Sequence, residues 1–296
     1  MKSRTFATPL LFLSVCFPFG DAAATPYTSG WYKELQLSIA HESNVSHSWR
    51  SADALSDQAV SLSLGGGYAP TPHRNSRLVF RGYLTWTRHN EFNATDSLAP
   101  SIGVSWTAQP SAGFSNVWYN MTTDLTRFIY RDNDVREGTL FAVEAGANKR
   151  ITSRSIGHLG VRHDRYLPDD AIEGAAWDTL NDEIYLGVDI ELTRKIWLFG
   201  EYAYRRGDFT YRMAGVPGMG ARYRGKSRDT AFDRCPGCIP WYAYRQHADS
   251  HKLQAGLVFA FDKVSLDLSG RYYDARSEHR QKYDNWMLQL GLVKRF

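Results

Sequence analysis

From Leu35 onward, apolar side chains recur at every second position, in segments of about ten residues repeated about twelve times. That period throws successive side chains onto opposite faces of an extended chain, so each segment has an oily face and a polar one. Leu35-x-Leu37-x-Ile39, Val60-x-Leu62-x-Leu64 and Leu78-x-Phe80-x-Gly82-x-Leu84-x-Trp86 show it clearly, and Ile184-x-Leu186-x-Val188-x-Ile190-x-Leu192 is the strongest case. Near Trp197 both faces are apolar and the register is ambiguous. No amphipathic helical segment stands out. So many half-oily strands have two ways to shelter that face. Two sheets can stack with oily sides together, or one sheet can close on itself and turn its oily side to lipid.

The connections favour closure. Short links, Thr152-Ser153-Arg154-Ser155, Thr193-Arg194-Lys195 and Phe261-Asp262-Lys263-Val264, follow even-numbered strands. Links of middle length lie around Pro70–Ser76 and Gln109–Ser115. The long polar links, 44–57, 166–182, 205–250 and 275–284, follow odd-numbered ones. Short turns at one end and long loops at the other suit an up-and-down barrel with periplasmic turns and external loops. Segments of about ten residues suffice for a tilted strand to cross a bilayer, and no apolar run reaches the roughly 18 residues of a spanning helix. Aromatics make up 14% of the chain, with Tyr and Trp outnumbering Phe, as suits a protein with water–lipid interfaces. The fold class expected is all-β: a closed antiparallel up-and-down transmembrane β-barrel of about 12 strands.

The N-terminus reads as a secretory leader. Lys2 and Arg4 precede the apolar stretch Phe6–Phe19, and Ala22-Ala23-Ala24 offers a small-residue cleavage site. Residues 1–24 are expected to be a signal peptide and residues 25–296 the barrel. With 35 basic and 31 acidic residues the chain is too balanced to suggest nucleic acid as a partner.

The final segment, Trp286 to Phe296, has Leu288, Leu290, Leu292 and a terminal Phe296 at alternate positions. It resembles the C-terminal assembly signal of Gram-negative outer-membrane barrels, with Lys294 departing from the usual aromatic or apolar choice. The resemblance implies localisation in the bacterial outer membrane after leader cleavage. It also implies recognition of Phe296 by the barrel assembly machinery, and outer-membrane lipid and lipopolysaccharide as surroundings. It says nothing of function.

His41-Glu42-Ser43-Asn44-Val45 is similar to the His-x-Ser-Asn stretch of outer-membrane phospholipase A and lipid A deacylase. That resemblance implies a Ser43 nucleophile activated by His41, with Asp284 or His279 as the orienting group. The same Ser-Asn-Val stretch, followed by Asp53 and Asp57, also resembles barrels of the surface-lipoprotein-assembly-modifier kind. There it is a strand-end turn with Asn and Ser bonding the local backbone. The turn is the preferred reading, and the expected protein is a non-enzymatic barrel: a narrow solute channel, or a surface or assembly component.

Positions complementary to the oily ones are expected to line the lumen. Among them are Arg81, Asp124, Glu144, Arg162, Asp189, Glu191, Asp267 and Arg271. Such a mixed-sign interior either selects a small solute in a narrow pore or fills a closed barrel with paired charges. The segment 205–250, rich in Arg, Gly and Tyr, is read as the largest non-strand segment. It would fold inward as a constriction, grip lipopolysaccharide phosphates, or lie solvated outside. Within it Cys235-Pro-Gly-Cys238 reads as a disulfide-stapled turn. Asp169, Asp170, Glu173 and Asp178 form a solvated acidic loop whose spacing matches no calcium loop. Gly65-Gly66-Gly67 reads as a bend or a smooth stretch of wall. No cofactor or metal is called for.

Overall fold

The computed structural model describes residues 29–70, 75–110, 113, 116–215, 223–233 and 239–296. Residues 1–24, expected to be a leader, and Cys235 and Cys238 lie outside these residues. The alternating segments form β1 (Gly30–Glu42), β2 (Asp57–Ala69), β3 (Ser76–His89), β4 (Ser97–Ala108), β5 (Val117–Tyr130) and β6 (Gly138–Thr152). They continue as β7 (Ser155–Pro168), β8 (Thr179–Thr193), β9 (Ile196–Ala214), β11 (Trp241–Phe261), β12 (Val264–Ser277) and β13 (Lys282–Arg295). A four-residue strand, β10 (Gly225–Arg228), sits apart from this series.

Each strand pairs antiparallel with the next, β9 pairs with β11, and β13 returns to β1. Twelve strands therefore close into a barrel, with β10 as a thirteenth strand outside the wall. No edge is left unpaired around the ring, the condition for a sheet to live in hydrocarbon. The oily faces point outward on all sides. Leu37, Leu64, Leu84, Ile102, Ile184 and Leu290 are among large apolar residues at least about two-fifths exposed. A continuous belt of that size belongs in lipid, not water. The stacked-sheet alternative is excluded, because the oily faces never meet one another.

Pro100 lies inside β4, where a missing N–H should break the ladder. The β4–β5 pairing skips Ala99 and Pro100, while both still face partners on β3. The ambiguity near Trp197 resolves by register. Trp197 pairs with Val258 and shares the inner face with Phe199 and Glu201.

The loop end departs from the sequence reading in one respect. Segment 205–250 is not mainly loop: β9 runs on to Ala214 and β11 begins at Trp241. Beyond the last β8 pair, Asn181 with Gly207, and the last β12 pair, Ala248 with Ser277, β9 and β11 leave their wall neighbours and stay paired with each other. The extension hides from an alternation count because both of its faces are covered, so neither needs to be uniformly oily or polar. Gly207 marks the departure, with φ at 156° and no room for a Cβ beside the Leu180 carbonyl and Asn181.

Candidate functional site

The lumen carries charges that bridge strands. Arg81 on β3 reaches across β4 to Asp124 on β5, with Nη2 at 2.8 and 2.6 Å from the two carboxylate oxygens. Gly103 on the intervening strand leaves the space for that bridge. A longer chain occupies the opposite wall. Arg162 donates to Glu144 at 2.8 Å and to Glu183 at 2.6 Å. Lys252 lies 3.0 Å from Glu183 and 3.2 Å from Glu201. His158 stands 4.0 Å from Glu201 and 3.9 Å from Asp189. The Tyr185 hydroxyl lies over Gly160 and donates to Glu144 at 2.7 Å. Gly65 and Gly67 likewise lie beneath Tyr83 and Tyr32, which gives the smooth wall expected there.

Arg81, Asp124, Glu144, Arg162 and Asp189 lie on the face opposite the exposed apolar residues. Arg271 donates to Gln254 at 3.1 Å, while Glu191 and Asp267 sit toward the turn end. Sequence reading passed over Glu183, Glu201 and Lys252, although parity with Ile184, Tyr202 and Leu253 marks them as inward. The charged groups of these bridges keep between 3% and 17% of their side-chain surface. They are paired, as buried charges must be, and most keep a small residual exposure.

The mouth at the loop end is covered. The free edge of β9 receives the β1–β2 connection: the Arg212 N–H donates to the Ser46 carbonyl at 3.0 Å, and His47 Nδ1 lies 3.3 Å from the Thr210 carbonyl. On the other side β11 pairs with β10. This small roof reaches across the ring. Phe232, just after β10, packs edge-on against Phe92 of the β3–β4 connection at 4.5 Å. In a twelve-strand ring β3 and β4 stand opposite β9 and β11, so the contact spans the mouth. Val45, Leu55, Phe92, Ala231, Phe232 and Trp241 form one buried cluster there. Each fully buried large side chain contributes about 1.5–3 kcal/mol.

At the centre of the cap Asp229 is wholly buried. Its carboxylate accepts from Arg136 Nη2 at 2.6 Å and Asn133 Nδ2 at 3.0 Å, with Arg212 Nε at 3.4 Å. Burial pushes this carboxyl up, but Arg136 and Arg212 outweigh it and hold it below the usual carboxylate range. Two buried arginines face one carboxylate. The surplus positive charge rests on the Trp177 ring, 4.6 Å from the Arg212 guanidinium and 4.9 Å from that of Arg136, and on the Val45 carbonyl. Other arginines among the described residues of 205–250 are also engaged. Arg205 pairs with Asp164, Arg224 with Glu278, Arg228 with Asp233 and Arg245 with Asp178. The described part of this segment is thus held by protein contacts at the loop end of the barrel.

The acidic loop is likewise tied down. Asp169 pairs with Arg127, and Asp178 with Arg165 and Arg245. His41 and Ser43 do not form a catalytic pair. The Ser43 hydroxyl donates to Asn285 Oδ1 at 2.9 Å and accepts from the Trp286 N–H at 3.0 Å. The His41 ring packs on Trp286 at 5.1 Å, and Asp284 is exposed opposite Asp274. This arrangement gives the esterase reading no support. Asn44 bonds the Ser48 carbonyl and the Asp284 carbonyl, as a strand-end turn requires.

No family model and no curated protein matches the sequence. Among solved structures, the COG4313 outer membrane channel from Pseudomonas putida F1 is similar over 91% of this chain and 96% of its own, with TM-score 0.59 and 10% identity. A KdgM porin in complex with disordered oligogalacturonate matches at TM-score 0.44 and 8% identity, over 88% of this chain and 98% of its own. The Pseudomonas putida toluene transporter TodX matches at 0.43 and 9%, over 90% of each chain. The likeness to the first of these shows that the chain has the fold of an outer-membrane β-barrel.

Proposed function

We propose that the protein is an outer-membrane channel for a small polar solute, shut at its external mouth in the state described. The observation that supports this is the pairing of a charged, partly open lumen with a cap that no barrel needs for closure. A barrel that served only as a wall would gain nothing from the glycines that lay Tyr83, Tyr185 and the Arg81–Asp124 bridge flat against it. Arg81, Asp124, Glu144, Arg162, Asp189, Glu191, Asp267 and Arg271 would then line the solute path. The turn end faces the periplasm in this reading, residues 1–24 are removed on export, and Phe296 addresses the chain to the assembly machinery. Cys235 and Cys238 would close a disulfide in the oxidising space outside the inner membrane. Lipopolysaccharide would surround the loop end. Planar-bilayer recording of the refolded barrel tests the proposal. Discrete conductance steps, rare in the native chain and frequent once the cap is loosened, are expected. A barrel with intact strands and a disrupted cap that never conducts would leave a surface or assembly role instead.

A further inference from the structure

A crevice opens at the side of the cap, between the β1–β2 connection, the β9–β11 extension and the β12–β13 connection. Its walls are His47, Trp49, Phe209, Gln246, Gln281 and Tyr283, with Tyr211 beside them. It spans about 220 Å³ including its open end, and its floor has room for about one water. Three rings form one wall: Phe209 lies 4.9 Å from Tyr283 and 5.7 Å from His47, centre to centre.

Several polar atoms on this crevice are not satisfied by the protein. Gln246 is wholly buried, and neither its amide nitrogen nor its amide oxygen has a hydrogen-bond partner. The Trp49 indole N–H, Gln281 Oε1 and His47 Nε2 share that condition, the last with the Glu42 carboxylate 3.5 Å behind it. A buried amide left unpaired is costly, so this space calls for a guest that both donates and accepts. No Lys, Arg, Asp or Glu lines it. An ion entering would lose its hydration with no opposite charge to meet it. The guest chemistry that fits is neutral, with hydroxyls on its edge and apolar C–H faces for the rings.

We propose that this crevice binds a neutral saccharide, which inserts a hydroxyl or hydroxymethyl group between the Gln246 amide and the Trp49 indole. Calorimetry reads occupancy in detergent without any current, so binding is measured separately from conduction.

The test is a calorimetric titration of the full barrel in detergent micelles with D-glucose and maltose, with D-galacturonate as the charged comparator. Saturable binding of a neutral sugar is expected, with galacturonate at least about tenfold weaker and Gln246→Leu weakened about tenfold. Gln281→Ala, at the half-buried edge, provides a second variant if Gln246→Leu fails to fold, and a severalfold loss is expected. Three outcomes would overturn the proposal: no saturable binding of either neutral sugar, equal binding of galacturonate, or undiminished binding in the folded variants. Any of these leaves the crevice as an ordered-water pocket only. Sugar binding without conductance would keep this site and remove the channel reading, and conductance without sugar binding would do the reverse.

Discussion

Removing one carboxylate should unlatch the cap. Asp229 is wholly buried and accepts from Arg136, Asn133 and the Ala231 N–H, with Arg212 close by. Asp229→Ala leaves two guanidinium groups with no counter-charge between Trp177 and Phe232. Breaking a buried pair in this way costs about 3–5 kcal/mol. The barrel wall takes no part in this network, so the loss falls on cap closure. At about 1.4 kcal/mol per decade, the open-to-closed ratio should rise by about two to three and a half orders of magnitude. Single-channel recording reads that ratio directly as open probability. Amide hydrogen exchange on β1 to β8 shows in the same sample that the wall is intact. A control tests the physics. Replacing all three groups together, Arg136→Met, Arg212→Met and Asp229→Leu, removes the charges and keeps the volume, and should hold the cap shut. An Asp229→Ala barrel with protected strands and native open probability would refute the latch, and an open triple variant would refute its electrostatic basis.

Four further outcomes follow from the same geometry. Burial, and then the Arg212 charge, hold the His47 imidazole well below its ordinary value, so the closed cap opposes its protonation. A lowered histidine pKa stabilises the closed state fully above about pH 6.5 and loses that stability as pH falls. Open probability should therefore climb between pH 7 and pH 5, and His47→Gln should flatten the climb. Asp229, whose pKa is held low, contributes only to loss below about pH 4 and does not shape that window. Gly207→Val forces a side chain against the Leu180 carbonyl, and a strain of about 1–3 kcal/mol should raise exchange in residues 208–214 without unfolding β1 to β5. Lys252→Gln leaves Glu183 and Glu201 without their shared cation, so an opened pore should shift its reversal potential toward greater cation preference in a salt gradient. The native chain and Ser43→Ala should both leave lipid hydrolysis at the level of a protein-free blank, and activity in the native chain that the variant loses would revive the esterase.

The wall was legible because its physics is local and repeated. Each strand must offer lipid a face, so Ile184 and Leu186 declare by parity that Glu183 and Tyr185 point inward. The same rule reached Arg81, Asp124, Glu144 and Arg162 one residue at a time. It could not show that Arg81 meets Asp124, because that pair depends on which strand lies two places away and on Gly103 making room between them. The cap lies further out of reach. Its latch joins Arg136 to Asp229 across 93 positions, and its crossing contact joins Phe92 to Phe232. None of these residues belongs to a periodic pattern. Once β9 and β11 rise above their neighbours, both faces of the hairpin are covered by protein, and the oily–polar zigzag that betrays a lipid-facing strand has no cause to persist. Arg212 and Met213 are neighbours, on opposite faces, and both are buried. Alternation reports contact with lipid, so it ends where the lipid ends, even though the strands go on and build the part of the molecule most able to control passage.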